Sequence, residues 1–213
     1  MKSFYTTLFS YYTTLLFLSF LGLHAPVNGQ NKERIVQEIQ NYQDAMDREF
    51  ADPEQSILKP EDLSQFTGLN WYPINLDYRV TARLESTPNA TPFLMPTTTE
   101  RRPEYVQYGI FYFTINKQEL QLPFYRSAQG DDDPQYADYL FCPFTDWASG
   151  DGAYGGGRYI DLRIPEGDRI ILDFNKSYNP YCAYNERYSC PIPPKENDLP
   201  LRIEAGIKAF KEY

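Results

Sequence analysis

The chain of 213 residues predicts a mainly β fold, an antiparallel β-barrel or β-sandwich with one or two N-terminal α-helices packed on it. Two observations lead there. From Trp71 onward, short runs rich in aromatic and β-branched residues are divided by Pro, Gly, Asn and Asp. No helix-length segment separates those runs, so parallel strands joined by crossover helices are not expected. About 180 residues suit one domain with a substantial core and leave little room for a second.

Residues 1–29 are set apart from that domain. Lys2 supplies a small positive region, Leu15 to Leu23 an apolar stretch, and Pro26-Val27-Asn28-Gly29 a break with small residues, the pattern of a secretory signal cleaved after Gly29. A secreted or periplasmic protein spanning residues 30–213 is therefore expected, with no stable membrane span once the signal is gone. The rival is an uncleaved anchor, since Phe4 to Leu23 approaches the roughly 20 residues that a span needs. Tyr11, Tyr12 and several threonines dilute its first half.

The mature chain opens on a helix. Ile35, Val36, Ile39, Tyr42, Met46 and Phe50 recur at helical spacing between Lys32 and Phe50. Pro60 to Phe66 predicts a short second helix, with proline early, acids in the first turn and Gly68 just beyond. Strands are then expected at Tyr78 to Leu84, Phe93 to Thr98, Tyr105 to Ile115, Glu119 to Tyr125, Tyr139 to Phe144, Arg158 to Ile164, Arg169 to Phe174 and Leu201 to Ala205. One hairpin is expected through Asn116-Lys117-Gln118 and another through Pro165-Glu166-Gly167-Asp168. The stretch from Leu172 to Pro200 has no apolar period and reads as a long ordered loop that closes one end of the β core or builds a site there.

Composition removes several chemistries. The only histidine is His24, so the mature chain would lack histidine. That excludes Ser-His-Asp and Cys-His catalysis and His-liganded metal sites within one chain. A net charge of -9 without a basic run argues against nucleic acid and anionic lipid as partners. No cofactor and no metal site are expected: the acidic Gln129 to Pro134 loop lacks the spacing of a calcium loop, and the three cysteines lack a close pair.

The residues with chemical potential gather in two loops, 144–159 and 172–200. Arg158 follows three glycines, and buried it would need a carboxylate from Asp146, Asp161 or Asp173; exposed to a ligand it would bind an anion bidentately. A pocket framed by the two loops would draw polar contacts from Asp146, Tyr154, Arg158, Asp173, Asn175, Tyr178 and Asn197, with Trp147 and Tyr184 as stacking faces. Cys182 and Cys190 are expected to form a disulfide in an exported chain, while Cys142 in an apolar run reads as a buried free thiol.

The run Tyr154-Gly155-Gly156-Gly157-Arg158-Tyr159-Ile160-Asp161-Leu162, then Leu172-Asp173-Phe174-Asn175, Tyr178-Asn179-Pro180, Cys190-Pro191-Ile192-Pro193-Pro194, Glu196-Asn197 and Ala205-Gly206, resembles the bacterial family called domain of unknown function 1684. Phe66-Thr67-Gly68-Leu69, Tyr72-Pro73 and Pro143-Phe144-Thr145-Asp146 agree with it. The chain departs at Asn116-Lys117, where a glycine turn would be expected, and at Ile207, where an acid would be. The resemblance implies no activity. The residues themselves favour a non-catalytic β domain that binds a small polar ligand, sugar-like or anionic, between the two loops. The alternatives are a glycosidase-like hydrolase using paired carboxylates such as Asp146 with Asp173 or Glu196, or a purely structural or interaction protein.

Overall fold

The computed structural model describes residues 27–129 and 134–211; the expected signal segment up to Pro26, the tip of the acidic loop and residues 212–213 lie outside the described residues. Helix α1 runs Val27–Ala51 and α2 Pro60–Leu63. Helix α1 thus takes in Val27 to Gly29, which were expected in a break, and starts five residues ahead of Lys32.

Seven strands follow: β1 Arg79–Ser86, β2 Phe93–Leu94, β3 Glu104–Ile115, β4 Gln118–Ser127, β5 Tyr139–Phe144, β6 Arg158–Arg163 and β7 Arg169–Asp173. They form one antiparallel half-barrel in the order β6-β5-β4-β3-β1-β7, with β2 added beside β3. The β3–β4 hairpin turns through Asn116 (φ 51°) and Lys117 (φ 66°), the two left-handed residues of a tight turn that glycine would occupy more cheaply.

Period-2 alternation sorts side chains onto two faces. The concave face buries Phe111, Phe113, Leu122, Phe124, Leu140, Phe144, Ile160 and Leu172 in the main core. The convex face carries a second cluster, Tyr125, Phe141 and Tyr159 with Met95, flanked by Tyr105, Tyr139 and Tyr178. A third cluster seats Phe50 of α1 with Ile57, Leu58, Tyr184 and Ile207, so the helix is pinned to the 172–200 loop.

Two expectations are corrected. Strands β6 and β7 do not form a hairpin; they are the two edges of the sheet. The 164–168 link crosses the open seam, and Tyr159 of β6 bonds reciprocally through its backbone with Tyr178, beyond β7 (2.8 and 3.0 Å). Leu201 to Ala205 is not a ladder strand. Its alternation was nonetheless meaningful: Leu199, Leu201, Ile203 and Ala205 are buried in the main core, while Glu204 is exposed. The segment fills the half-barrel without completing it. Phe93 to Thr98 also shortens to the two residues of β2.

Candidate functional site

The 144–159 and 172–200 loops do meet, but most of their polar residues are spent on the surrounding frame. Arg158 is fully buried on the concave face. Its Nη2 donates to Asp146 Oδ1 (3.1 Å) and the Ile203 carbonyl (2.9 Å), and its Nη1 donates to the Ala205 carbonyl (2.5 Å). Asp146 Oδ2 accepts from the backbone of Ile203 (2.7 Å) and Ala148 (3.2 Å). Burial pulls the Arg158 pKa down and the Asp146 carboxylate pulls it back, the balance expected of a paired interior cation. Together the pair stands in for the strand that the C-terminal segment lacks. Gly157 (φ 87°) approaches the Phe144 carbonyl so closely that a Cβ would lie 2.5 Å from it, which explains a glycine before the arginine.

The other expected site residues are tied up in similar ways. Asp173 pairs with Arg79 and accepts from Asn175 N (3.1 Å). Asn175 is buried and bonds the backbone of Asn75 in both directions. Asn197 is buried, donating to the carbonyls of Pro123 and Pro143 (2.7 Å each) and accepting from Tyr125 Oη (2.7 Å). Tyr184 is buried against Phe50 and Phe210, and Trp147 is 65% exposed. With Asp146 and Asp173 each held by an arginine and by backbone N–H groups, neither is placed to serve as one of a pair of catalytic carboxyls across a cleft.

The Cys182–Cys190 disulfide is not formed. Both are free thiols, adjacent in space, with Cys190 Sγ accepting from Cys182 N at 3.1 Å. Tyr154 sits beside them, its Oη 3.9 Å from Cys182 Sγ. Hydrogen bonding from Cys190 first, then from Tyr154 and Thr98, brings the Cys182 thiol below its ordinary pKa. Cys142 is buried, and that burial pushes its thiol up.

A cavity does exist, on the other face of the sheet. About 400 Å³ opens between α1, the convex cluster and the 172–200 loop. Tyr42 and Glu49 of α1, Tyr139 of β5, Asp161 of β6, and Tyr178 and Tyr181 of the loop line it, with Cys190 and Arg101 at its side. Of the nine expected ligand contacts only Tyr178 is here. The cavity is built from five separated segments, so no local motif announced it; the clue available was the density of tyrosines, 19 in the chain.

Asp161 is the notable group. Its side chain is accessible to the cavity yet ringed by aromatic groups. Oδ1 accepts the hydroxyls of Tyr139 and Tyr178, both at 2.6 Å. The enclosure raises its pKa above the ordinary 3.8, against the lowering effect of those two bonds and of Arg163. Tyr139, Tyr159 and Tyr178 are all pushed upward by burial and stay un-ionised. Among the described residues, no His, Cys, Asp or Glu cluster is placed to hold a metal ion, and no helix is long and apolar enough to cross a membrane.

Comparison with known proteins follows the same lines. A family model described as protein of unknown function (DUF1684) matches residues 64–208. The chain belongs to this DUF1684 family. The solution NMR structure of an uncharacterized protein from Haloarcula marismortui is 32% identical to this DUF1684 protein, covers 86% of it and 99% of its own length, and superposes with a TM-score of 0.67. No curated protein matches the chain. The matched DUF1684 region runs from the end of α2 to Lys208, so it holds the whole sheet and the Arg158 lock, while Tyr42 and Glu49 lie ahead of it.

Proposed function

We propose that this DUF1684 protein is an exported β domain that binds a small polar ligand, and that its site is the tyrosine-walled cavity under α1 rather than the junction of the two loops. One observation carries the reading: a carboxylate, Asp161, stands open to a cavity of about 400 Å³ walled largely by tyrosine rings. Ordinary packing buries such a group or leaves it in bulk water, whereas binding sites combine apolar walls with a few placed polar groups. Arg158 itself offers no such group to a ligand, because its side chain is fully buried and its two Nη groups are consumed by Asp146 and backbone carbonyls.

Export is supported by the pattern of residues 1–29, and in an oxidising compartment the adjacent Cys182 and Cys190 thiols would close to a bridge. Mass determination of the protein recovered from its native compartment tests export: loss of residues 1–29 supports it, and an intact N-terminus overturns it. Ligand binding is tested by a thermal-shift screen of the purified protein against sugars, amines and organic anions. A stabilising hit that is lost in Tyr42→Ala places the ligand in the cavity. A hit unaffected by Tyr42→Ala but abolished by Trp147→Ala would move the site to the exposed loop, and a screen without any hit would overturn the binding reading.

A further inference from the structure

We infer that the ligand of this cavity is a small organic cation, an ammonium group held against Asp161 and surrounded by tyrosine rings. The inference rests on the reading of the cavity as a ligand site and adds the chemical class.

Hydrogen-bonding capacity is the first ground. Three of the lining tyrosine hydroxyls are already committed and cannot serve a sugar: Tyr139 and Tyr178 donate to Asp161, and Tyr159 donates to the Pro191 carbonyl. What the walls present instead is ring surface, and ring faces attract cations rather than hydroxyl groups. The rings stand near right angles, Tyr159 to Tyr178 at 88° and Phe141 to Tyr159 at 77°, as the sides of a box do.

Charge is the second ground. Both tyrosine hydroxyls converge on Oδ1 of Asp161, and among the described residues no donor is bonded to Oδ2. Glu49 adds a second carboxylate from α1. The one cation in the lining, Arg101, is turned to Ser189, donating to its Oγ (3.0 Å) and carbonyl (2.8 Å). An anion would meet two carboxylates against one guanidinium, whose Nε and Nη2 are already turned to Ser189. An ammonium group would meet a half-satisfied carboxylate with un-ionised tyrosines around it, the usual composition of an aromatic cage.

The test is isothermal titration of the purified protein with choline and with 3,3-dimethylbutan-1-ol, its uncharged carbon isostere. Choline is expected to bind at least about ten-fold more tightly than the isostere, since desolvated cation–π and carboxylate contacts are each worth about one order of magnitude. Asp161→Asn keeps an acceptor for both tyrosines, and should cut that preference about ten-fold through loss of the carboxylate contact while leaving isostere binding unchanged. Tyr42→Leu should weaken choline several-fold with no loss for the isostere. Equal binding of the two probes, or a preference that Asp161→Asn leaves undiminished, overturns the cation assignment but leaves the cavity a ligand site. Binding of neither probe, together with a cavity-dependent sugar or anion hit in the thermal screen, overturns the cation assignment alone; binding of neither with no hit of any kind overturns both.

Discussion

Arg158 and Asp146 form a fully buried ion pair whose remaining hydrogen bonds go almost entirely to the backbone, three from the guanidinium to the carbonyls of Ile203, Ala205 and Ile207 and two to the carboxylate from the N–H groups of Ala148 and Ile203, with the Ser149 hydroxyl also donating to the carboxylate. A charge pair here replaces a β-ladder: the terminal segment runs past it alternating inward and outward, and the two side chains satisfy the groups that a neighbouring strand would otherwise have met.

Removing one partner leaves the other charged and enclosed. Arg158→Met is expected to destabilise the protein by about 3–5 kcal/mol, measured by urea denaturation. Arg158→Met combined with Asp146→Leu should cost less than the sum of the two single changes, because the stranded charge disappears. A strictly additive cycle would show that the two side chains act independently.

Asp161 should titrate against the fold. Its folded pKa is raised, so the native state holds its proton more tightly than the unfolded chain does, and stability falls as pH rises from just above 3.8 through the folded pKa. The titratable and charged groups that face it are the un-ionised Tyr139 and Tyr178 hydroxyls, Arg163 on its own strand, and Glu49 and Arg101 across the cavity. Asp161→Asn is expected to raise the melting temperature at pH 7 and to leave it unchanged below pH 3.8, by calorimetry across that range. A melting temperature lowered at pH 7 would mean that the carboxylate stabilises the fold. Choline affinity should rise over the same interval in which stability falls, since only the ionised carboxylate attracts it.

The three thiols should react in a fixed order. Cys182 is activated by its neighbours, Cys190 is held above its ordinary pKa chiefly by that same neighbour, and Cys142 is sealed in the core. Iodoacetamide at pH 7 in the folded state is expected to label Cys182 first and Cys142 not at all, as read by peptide mass mapping. Mild oxidation should join Cys182 to Cys190 and raise stability by about 2.6 kcal/mol for a nine-residue loop on the chain-entropy account.

The β3–β4 turn carries a side chain at φ 66° on Lys117. Lys117→Gly is expected to stabilise the protein by about 0.5–1 kcal/mol, visible as a melting temperature a few degrees higher. No gain would mean that the unfolded chain's extra freedom cancels the relief.

How far the sequence discloses all this varies with the range of the contacts involved. Strands β3, β4 and β5 are legible because alternating residues such as Phe111, Phe113 and Ile115 report a face directly. The need of Arg158 for an acidic partner is legible from the cost of burying a charge, and Asp146 was among the candidates. The β6–β7 hairpin is misread because Pro165 to Asp168 is a good turn sequence whichever two strands it joins, and nothing local shows that these strands are opposite edges of one sheet. The cavity is missed for a related reason: Tyr42, Tyr139, Asp161 and Tyr178 meet only after α1 has been laid over the convex face. The polar loop residues drew attention because clustered polarity suggests a site, and here it serves hydrogen bonds that tie the loops to the strands and the C-terminal segment.

The carbonyls that Arg158 requires belong to Ile203, Ala205 and Ile207, within the final eleven residues of the chain. The cation on β6 is therefore sealed only by chain that follows β7, the last strand of the sheet. A product stopped short of Ile203 keeps that guanidinium without its carbonyl partners, so closure of the interior waits on the segment that fills the half-barrel.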